Sequence, residues 1–351
     1  MLKRSTISDV ARLAGVGKVT VSYVLNGRSR EARISCQTEQ RVLSAAQELG
    51  YRPNGLARML VSQRTQTLAV VFQYADLFSS GSGFINELMR GVCSGAVEGG
   101  YDLMLHTQAV RNPETEADLL SDGRVDGALV LRDEGDPTIS SLLDRGVPTV
   151  LFFTRSDHPN AAWVDADNFM GARTAVEHLL NLGHTQIAMV GGPEGSVAAK
   201  SRYEGYLSAL AAAGVRPYPK HVRCGNAGET RANVPDLLRG ADRPSAIFVW
   251  SDDVAAGCLD ISKDLGIRVP DELSIVGFDS LDICNRTTPA LTSVRQPIFD
   301  MACQATRLLI SIARNEDLPQ RQIVYPLTLD VRGSTAPVSS PKIQRGVPHV
   351  S

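Results

Sequence analysis

The chain has 351 residues, 43% of them hydrophobic, with 36 lysines and arginines against 38 aspartates and glutamates. Such a length calls for two or three domains, and such a balance excludes a disordered chain. No apolar run approaches the ~20 residues of a membrane span and no apolar stretch opens the chain, so a cytoplasmic protein with no membrane partner is expected.

The six cysteines, Cys36, Cys93, Cys224, Cys258, Cys284 and Cys303, are scattered without a C-x-x-C pair. That suits buried thiols in a reducing compartment better than disulfides or zinc. Charge is unevenly spread. Residues 1–64 carry eleven basic against four acidic side chains, a net of +7 that leaves -9 for the remainder. A basic head on an acidic body is the electrostatic footprint of a nucleic-acid module.

In the head, Ile7, Val10, Ala11 and Ala14 fall at helical spacing, with Ser8 available as a cap and Gly15 as a left-handed turn. A second helix comes next, with Val21 and Val24 facing inward. Two short helices around a glycine turn describe a helix-turn-helix. Lys18, Val19, Ser22 and Tyr23 are then left on the outward face, with lengths that reach base edges and phosphates. Asn26-Gly27 makes a turn. The basic loop Arg28–Arg33 is expected to be mobile. Ser35 caps a third helix in which Val42, Ala46 and Leu49 share a face and Gly50 is the stop. Pro53 interrupts, and residues 54–61 can form only about two helical turns, too few to be stable in water without a partner.

From Thr67 onward the pattern changes to alternating strands and helices. Strands are expected at Leu68–Phe72, Asp102–His106, Asp126–Leu131, Thr149–Phe153, Ile187–Val190, Ala246–Val249, Leu273–Phe278 and Ile323–Leu329. Helices are expected at Phe84–Val97, Glu114–Leu120, Ser140–Asp144, Asn168–Leu182, Tyr203–Ala213, Thr230–Leu238, Val254–Leu265 and Phe299–Ile312. Pro235 suits only the first turn of its helix. The alternation implies parallel sheets with right-handed crossovers, and its length and restart imply two lobes. The fold class is therefore α/β, a three-helix head and then a two-lobed core. The expected divisions are 1–52 for the head, 53–66 for a hinge helix and linker, 67–336 for the core and 337–351 for a disordered tail.

Catalytic patterns fail one by one. Gly195–Ser201 imitates a phosphate loop but has Ala199 where glycine is needed. The Gly81-Ser-Gly83 stretch lacks the third glycine of a dinucleotide fingerprint, and the histidines are isolated. No enzyme and no cofactor is expected. Ligands in open α/β sheets bind beyond the carboxyl ends of the strands. By that rule Tyr74–Phe84, Thr154-Arg155, Gly191–Arg202, Trp250-Ser251-Asp252 and Asp279 would line a cleft between the lobes.

These stretches resemble the lac-repressor (LacI/GalR) family of bacterial transcriptional regulators over about Thr6–Ala336. The head carries T-I-S-D-V-A-R-L-A-G-V, T-V-S-Y-V-L-N-G and E-L-G-Y-R-P-N-G-L-A-R-M-L. The body carries V-D-G-A-L-V-L, V-D-A-D-N-F-M-G-A, H-L-L-N-L-G-H, A-I-F-V-W-S-D-D, S-I-V-G-F-D and T-P-A-L-T-S-V-R-Q-P in the same order. The resemblance implies a homodimeric repressor of palindromic operator DNA. It also implies a core like periplasmic sugar-binding proteins, released from DNA by a sugar or sugar-like effector. A free sugar-binding protein, or an activator or corepressor-dependent regulator on the same core, is the alternative.

The resemblance also implies site residues. Lys18, Val19 and Tyr23 would read bases, while Thr6, Thr20, Ser22 and Asn26 would hold phosphates. Gly17 stands where the family has Ser or Thr. Asn54, Leu56, Ala57 and Leu60 belong to the hinge helix, with Leu60 as the minor-groove wedge. Phe84, Arg155, Arg202, Trp250, Ser251 and Asp279 would bind the effector. Trp250-Ser251 replaces a small residue and Asn, and the Arg28–Arg33 loop is longer than the family's. The tail lacks apolar heptads for a tetramer.

Overall fold

The computed structural model describes residues 5–51, 64–72, 82–107, 112–193, 196–218, 222–223, 227–240 and 242–338. The chain forms two compact units, Met1–Thr65 and Gln66–Ser351.

The first unit is a three-helix head: α1 (Ile7–Ala14), α2 (Lys18–Leu25) and α3 (Cys36–Glu48). Val10, Ala11 and Ala14 of α1 meet Val21 and Val24 of α2 and Val42, Ala45 and Ala46 of α3 in one small core. Gly15 ends α1 in the left-handed region at φ 65°, a conformation that costs a residue with a Cβ. The cap of α1 is Thr6, not Ser8: Thr6 N–H and Oγ1 both donate to the Asp9 carboxylate, at 3.0 and 2.7 Å. Ser35 caps α3 as its type allows, accepting from Thr38 N–H at 3.3 Å. The loop between α2 and α3, expected to be mobile, is closed by backbone hydrogen bonds, among them Ile34 N–H to Ser29 C=O at 2.9 Å.

The second unit holds two six-stranded sheets, each strand in register with its neighbours. The first lobe is built from β1 (Thr67–Phe72), α4 (Gly83–Gly99), β2 (Asp102–His106), α5 (Pro113–Leu120), β3 (Gly127–Leu131), α6 (Pro137–Asp144), β4 (Thr149–Phe152) and β5 (Ala162–Ala166). The second is built from α7 (Asn168–Asn181), β6 (Ile187–Gly191), α8 (Val197–Ala212), β7 (Val222–Arg223), α9 (Ala227–Leu238), β8 (Ala246–Val249), α10 (Asp252–Asp264), β9 (Ser274–Asp279), α11 (Ile283–Arg286) and β10 (Thr292–Arg295). The chain then returns through α12 (Ile298–Ala313) and β11 (Gln322–Tyr325) to the first lobe and ends with β12 (Thr328–Asp330) in the second. Sheet orders are β11-β5-β4-β3-β1-β2 and β12-β10-β9-β8-β6-β7. Every described pairing is parallel except β12 against β10.

Several expectations change. The single strand over Ile323–Leu329 is two strands, β11 and β12, one in each sheet. Pro326 falls between them, where a ladder donor would be missing. Strands β5 and β10 have no counterpart in the sequence pattern. Their sequences, A-W-V-D-A and T-S-V-R, carry polar residues at buried positions and do not alternate. Helix α8 begins at Val197, six residues earlier than expected, because Ser196 caps it. Helix α9 holds Pro235 in its interior, not its first turn; the last turn still closes with Arg239 N–H to Pro235 C=O at 3.0 Å.

Three segments join the lobes: β5 to α7, β10 to α12, and β11 to β12. Each connection leaves the carboxyl end of a parallel strand, the end at which ligands bind in open α/β sheets. The core continues to Val338, whose N–H donates to Leu182 C=O at 2.9 Å. The tail expected to be disordered lies, beyond Val338, outside the described residues.

Candidate functional site

The head offers the first site. On α2, Val19 is 68% exposed and Tyr23 37%, with Lys18 also exposed, while Val21 and Val24 anchor the opposite face. Thr20 and Ser22 are half-buried along the edges. Asn26 closes the helix, its Nδ2 donating to Ser22 Oγ at 3.3 Å. Gly17 precedes the helix without a side-chain cap, so the first N–H groups of α2 are left for an outside acceptor such as a phosphate. Thr6 is committed to its capping box. Asn54, Leu56, Ala57 and Leu60 lie outside the described residues.

The second site centres on Arg202, in the second turn of α8 and therefore on a helix, not the expected loop. It is 4% exposed. Its Nε donates to Asn168 Oδ1 at 2.8 Å, its Nη1 to the Trp250 carbonyl, and its face lies 3.5 Å from the Phe278 ring centroid. Its Nη2 stands 3.6 Å from Asp279 Oδ1, an ion pair too long for a hydrogen bond. Arg202 and Asp279 belong to the same lobe, so any pairing between them does not cross the cleft.

Asp279 is the last residue of β9, 5% exposed, and its Oδ1 has no hydrogen-bond donor. Burial raises its carboxyl well above the ordinary range; Arg202 opposes that, and Asp252 and Asp253 add to it. Asp252, at the start of α10, is pushed up to about 6, by burial first. It is held by Leu281 N–H at 2.7 Å and Ser293 Oγ at 2.6 Å, so its role is to pin β9 and β10 together behind the site.

Among the described residues six more buried polar atoms lack hydrogen-bond partners: His106 Nε2 and Arg132 Nε, both on residues that pair with Glu116, and Thr154 Oγ1, Trp250 Nε1, and Gln296 Oε1 and Nε2. Thr154 lies just after β4, Trp250 just after β8 and Gln296 just after β10, so these three stand at carboxyl ends of strands. Gln296 N–H donates to Asp279 C=O at 3.3 Å, which sets it beside the acid. Unsatisfied buried groups are rare in folded chains, so several at one end of the sheets make these residues candidates to meet a ligand or water. Backbone strain falls there too: Phe153, Asp279 and Ser280 hold φ of 59°, 110° and 53°.

The remaining candidates are distributed around this centre. Phe84, in the first turn of α4, stands 5.1 Å from the Phe153 ring and packs, half-buried, against the first-lobe core. The Trp250 indole lies against Gly192, where a Cβ would come within 2.6 Å of the ring, so only glycine admits this tryptophan. Ser251 caps α10 without a side-chain bond. Arg155 is engaged elsewhere, with Nε 2.7 Å from Asp165 Oδ2 and its guanidinium 4.9 Å from the Trp163 ring.

Sequence reasoning missed Asp165, Asn168 and Gln296, whereas Thr154 is among the strand-end residues expected there. Asp165 holds Arg155 and lies beside Asn168, whose Oδ1 holds Arg202, so a polar chain runs from one lobe into the other. The family motifs V-D-A-D-N and V-R-Q-P contain Asp165, Asn168 and Gln296, and that is the signal that could have found them. Across the rim, Ser82 Oγ donates to Asp253 Oδ2 at 3.0 Å, bringing the start of α4 against the second lobe.

Two family models match: bacterial regulatory proteins of the lacI family over residues 6–54, and a periplasmic binding protein-like domain over 176–335. The transcriptional regulator CelR of Thermobifida fusca is 34% identical over 95% of this chain and 98% of its own length. The chain belongs to the lacI family of bacterial regulatory proteins. A CelR–cellobiose complex matches 94% of this chain and 100% of its own with a TM-score of 0.70 at 33% identity. The lac repressor dimer bound to operator and an anti-inducer matches 95% of this chain and 100% of its own with a TM-score of 0.83 at 25% identity. This lacI-family protein is a DNA-binding transcriptional regulator and not an enzyme. Among the described residues no helix is long and apolar enough to cross a membrane.

Proposed function

We propose that this regulator represses transcription in the cytoplasm as a homodimer on an approximately palindromic operator, and that a neutral sugar bound between its lobes releases it. A two-fold dimer presents two equal heads, so half-sites mirror each other. Lys18 suits guanine O6 or N7, Val19 a thymine methyl, and Tyr23 a base edge. Leu60 from each hinge opens a central pyrimidine-purine step.

The observation that carries the effector reading is the open 3.6 Å gap between Arg202 Nη2 and Asp279 Oδ1, both buried. One hydroxyl placed there donates to Asp279 and accepts from Arg202. Trp250 Nε1 and the Gln296 amide supply further donors and an acceptor for neighbouring hydroxyls. A sugar acid is disfavoured. Its carboxylate would meet Asp279 with Asp252 and Asp253 close behind, and Arg202 already has three of its contacts filled. Phe84 and Trp250 supply apolar walls for a ring. The ligand can shift the DNA-binding equilibrium only by its differential affinity for the two states.

The test is a thermal-shift screen of neutral mono- and disaccharides beside their aldonic and uronic acids, and then operator anisotropy with each hit. Neutral sugars should stabilise the protein and lower operator affinity. Stabilisation by the acids alone would overturn the effector class.

A further inference from the structure

The segment between α2 and α3 is more ordered than its composition implies. Arg28 N–H donates to Tyr23 C=O at 2.9 Å, Ala32 N–H to Arg28 C=O at 3.2 Å, Arg33 N–H to Arg30 C=O at 3.1 Å and Ile34 N–H to Ser29 C=O at 2.9 Å. Ser29 is 4% exposed, and its Oγ donates to Glu39 Oε1 on α3 at 2.8 Å. The loop is thereby tied to both flanking helices.

Its charges are sorted by that geometry. Arg28 Nε pairs with Glu31 Oε2 at 2.7 Å, and the same guanidinium lies 5.8 Å from the Tyr23 ring centroid. The loop's one carboxylate is thus spent on Arg28. Arg30 and Arg33 are exposed, and neither forms an ion pair among the described residues. The turn between them keeps their Cα atoms within about 7 Å. Arg33 holds φ 51°, a conformation that non-glycine residues seldom adopt and that fixes where its side chain leaves the loop.

A recognition helix meets base edges with its N-terminal residues. Its C-terminal end and the adjoining loop therefore stand at the groove wall, which is phosphodiester backbone. We propose that Gly27–Ile34 is a second DNA-contacting element of the head. Arg30 and Arg33 bind phosphates flanking the bases read by α2, while Arg28 holds the Tyr23 ring in place. This rests on the proposed reading of duplex DNA by α2.

The experiment measures operator affinity of the full chain against salt by anisotropy, on a duplex selected from a random library and on a scrambled one. Each phosphate contact contributes about 0.9 to the slope of log affinity against log salt, so Arg30→Gln/Arg33→Gln should lower it by about 2–4 for a dimer. Discrimination between selected and scrambled duplex should be unchanged, and Arg30→Lys/Arg33→Lys should restore the slope. Glutamine keeps an exposed polar side chain without the charge, and a circular dichroism melt confirms the head is folded; were it not, the single variants carry the test, each lowering the slope by about 1–2. An unchanged slope, or a loss confined to one base pair, would overturn the clamp. A parent protein that does not distinguish the two duplexes would instead overturn the reading of α2.

Discussion

Asp279→Asn separates the effector role of this acid from any structural one, because it removes charge at constant shape. On the stability side, two large quantities oppose each other. Attraction between Asp279 and Arg202 at 3.6 Å is about 4–5 kcal/mol at an effective dielectric of ~20. Removing the carboxylate from water costs several kcal/mol. Burial and Asp252 already push the Asp279 carboxyl toward its neutral form, so asparagine replaces a group the fold disfavours when charged. The two nearly cancel, and the melting temperature should stay close to that of the parent. On the ligand side, asparagine has one acceptor oxygen where aspartate has two, and its amide N–H₂ faces the ligand or Arg202 in place of the other. Losing one hydrogen bond to the ligand costs about 0.5–1.5 kcal/mol, or roughly 2- to 13-fold in affinity. Calorimetric titration with the best neutral sugar should show that loss, while anisotropy without sugar should show unchanged operator affinity. Arg202→Ala should behave differently. It leaves Asp279 buried without a counterion and opens a cavity over Phe278, so it should lose roughly 3–5 kcal/mol of stability. Sugar affinity within twofold of the parent in Asp279→Asn would refute the assignment of the cleft.

Tyr23→Ala should relax sequence preference by ~1–3 kcal/mol at a single base pair in each half-site, read by binding to a panel of operator variants; an equal loss at every variant would make Tyr23 a backbone contact instead. Leu60→Ala should weaken operator binding and leave sugar affinity unaltered in calorimetry, since a wedge acts only on bent DNA; unaltered operator affinity would remove the wedge. Stability should also depend on pH through His184, which bonds Ser245 Oγ at 2.9 Å and both Ser274 Oγ and Ala336 C=O at 3.0 Å. Burial lowers its pKa, as it does for His178 with His184 adding to the effect, so the unfolded chain takes up protons first. Their contribution is complete above about pH 6.5 and is lost as pH falls below it. Asp252, raised to about 6, works in the opposite sense between pH 6 and about 4, where the folded chain is the one taking up a proton. Comparing His184→Asn with the parent by thermal melts from pH 7.5 to 5 isolates the histidine: the difference between them should shrink toward acid pH, and a constant difference would show that His184 does not titrate there.

Hydrophobic periodicity makes legible chiefly those elements that obey its assumption. Val10, Ala11 and Ala14 sit at helical spacing and close the head's core; Asp102–His106 and Ala246–Val249 are strands at the expected bounds. The head helix places its apolar face inward and Ala246–Val249 is apolar and wholly buried, as the assumption requires, whereas Asp102–His106 is found by its bounds although Leu105 is exposed. The site is built where that assumption fails. Asp165 is 4% exposed in β5, and Thr292 and Ser293 are fully buried in β10, each satisfied by neighbours far away in the chain. Asp252 looks like one of a pair of surface acids, yet its carboxylate bonds a backbone N–H and a serine from later elements. Gln296 is one polar residue after a strand that has no apolar alternation to announce it. A cleft for a polar ligand needs buried donors and acceptors fixed in the pleat and at strand ends. The residues that build it therefore lie where hydrophobic patterning is weakest, and only family motifs such as V-D-A-D-N and V-R-Q-P mark them in the sequence. Arg202 shows the same from the other side: read as a loop residue, it is carried by a helix whose start depends on Ser196, a cap that periodicity does not weigh.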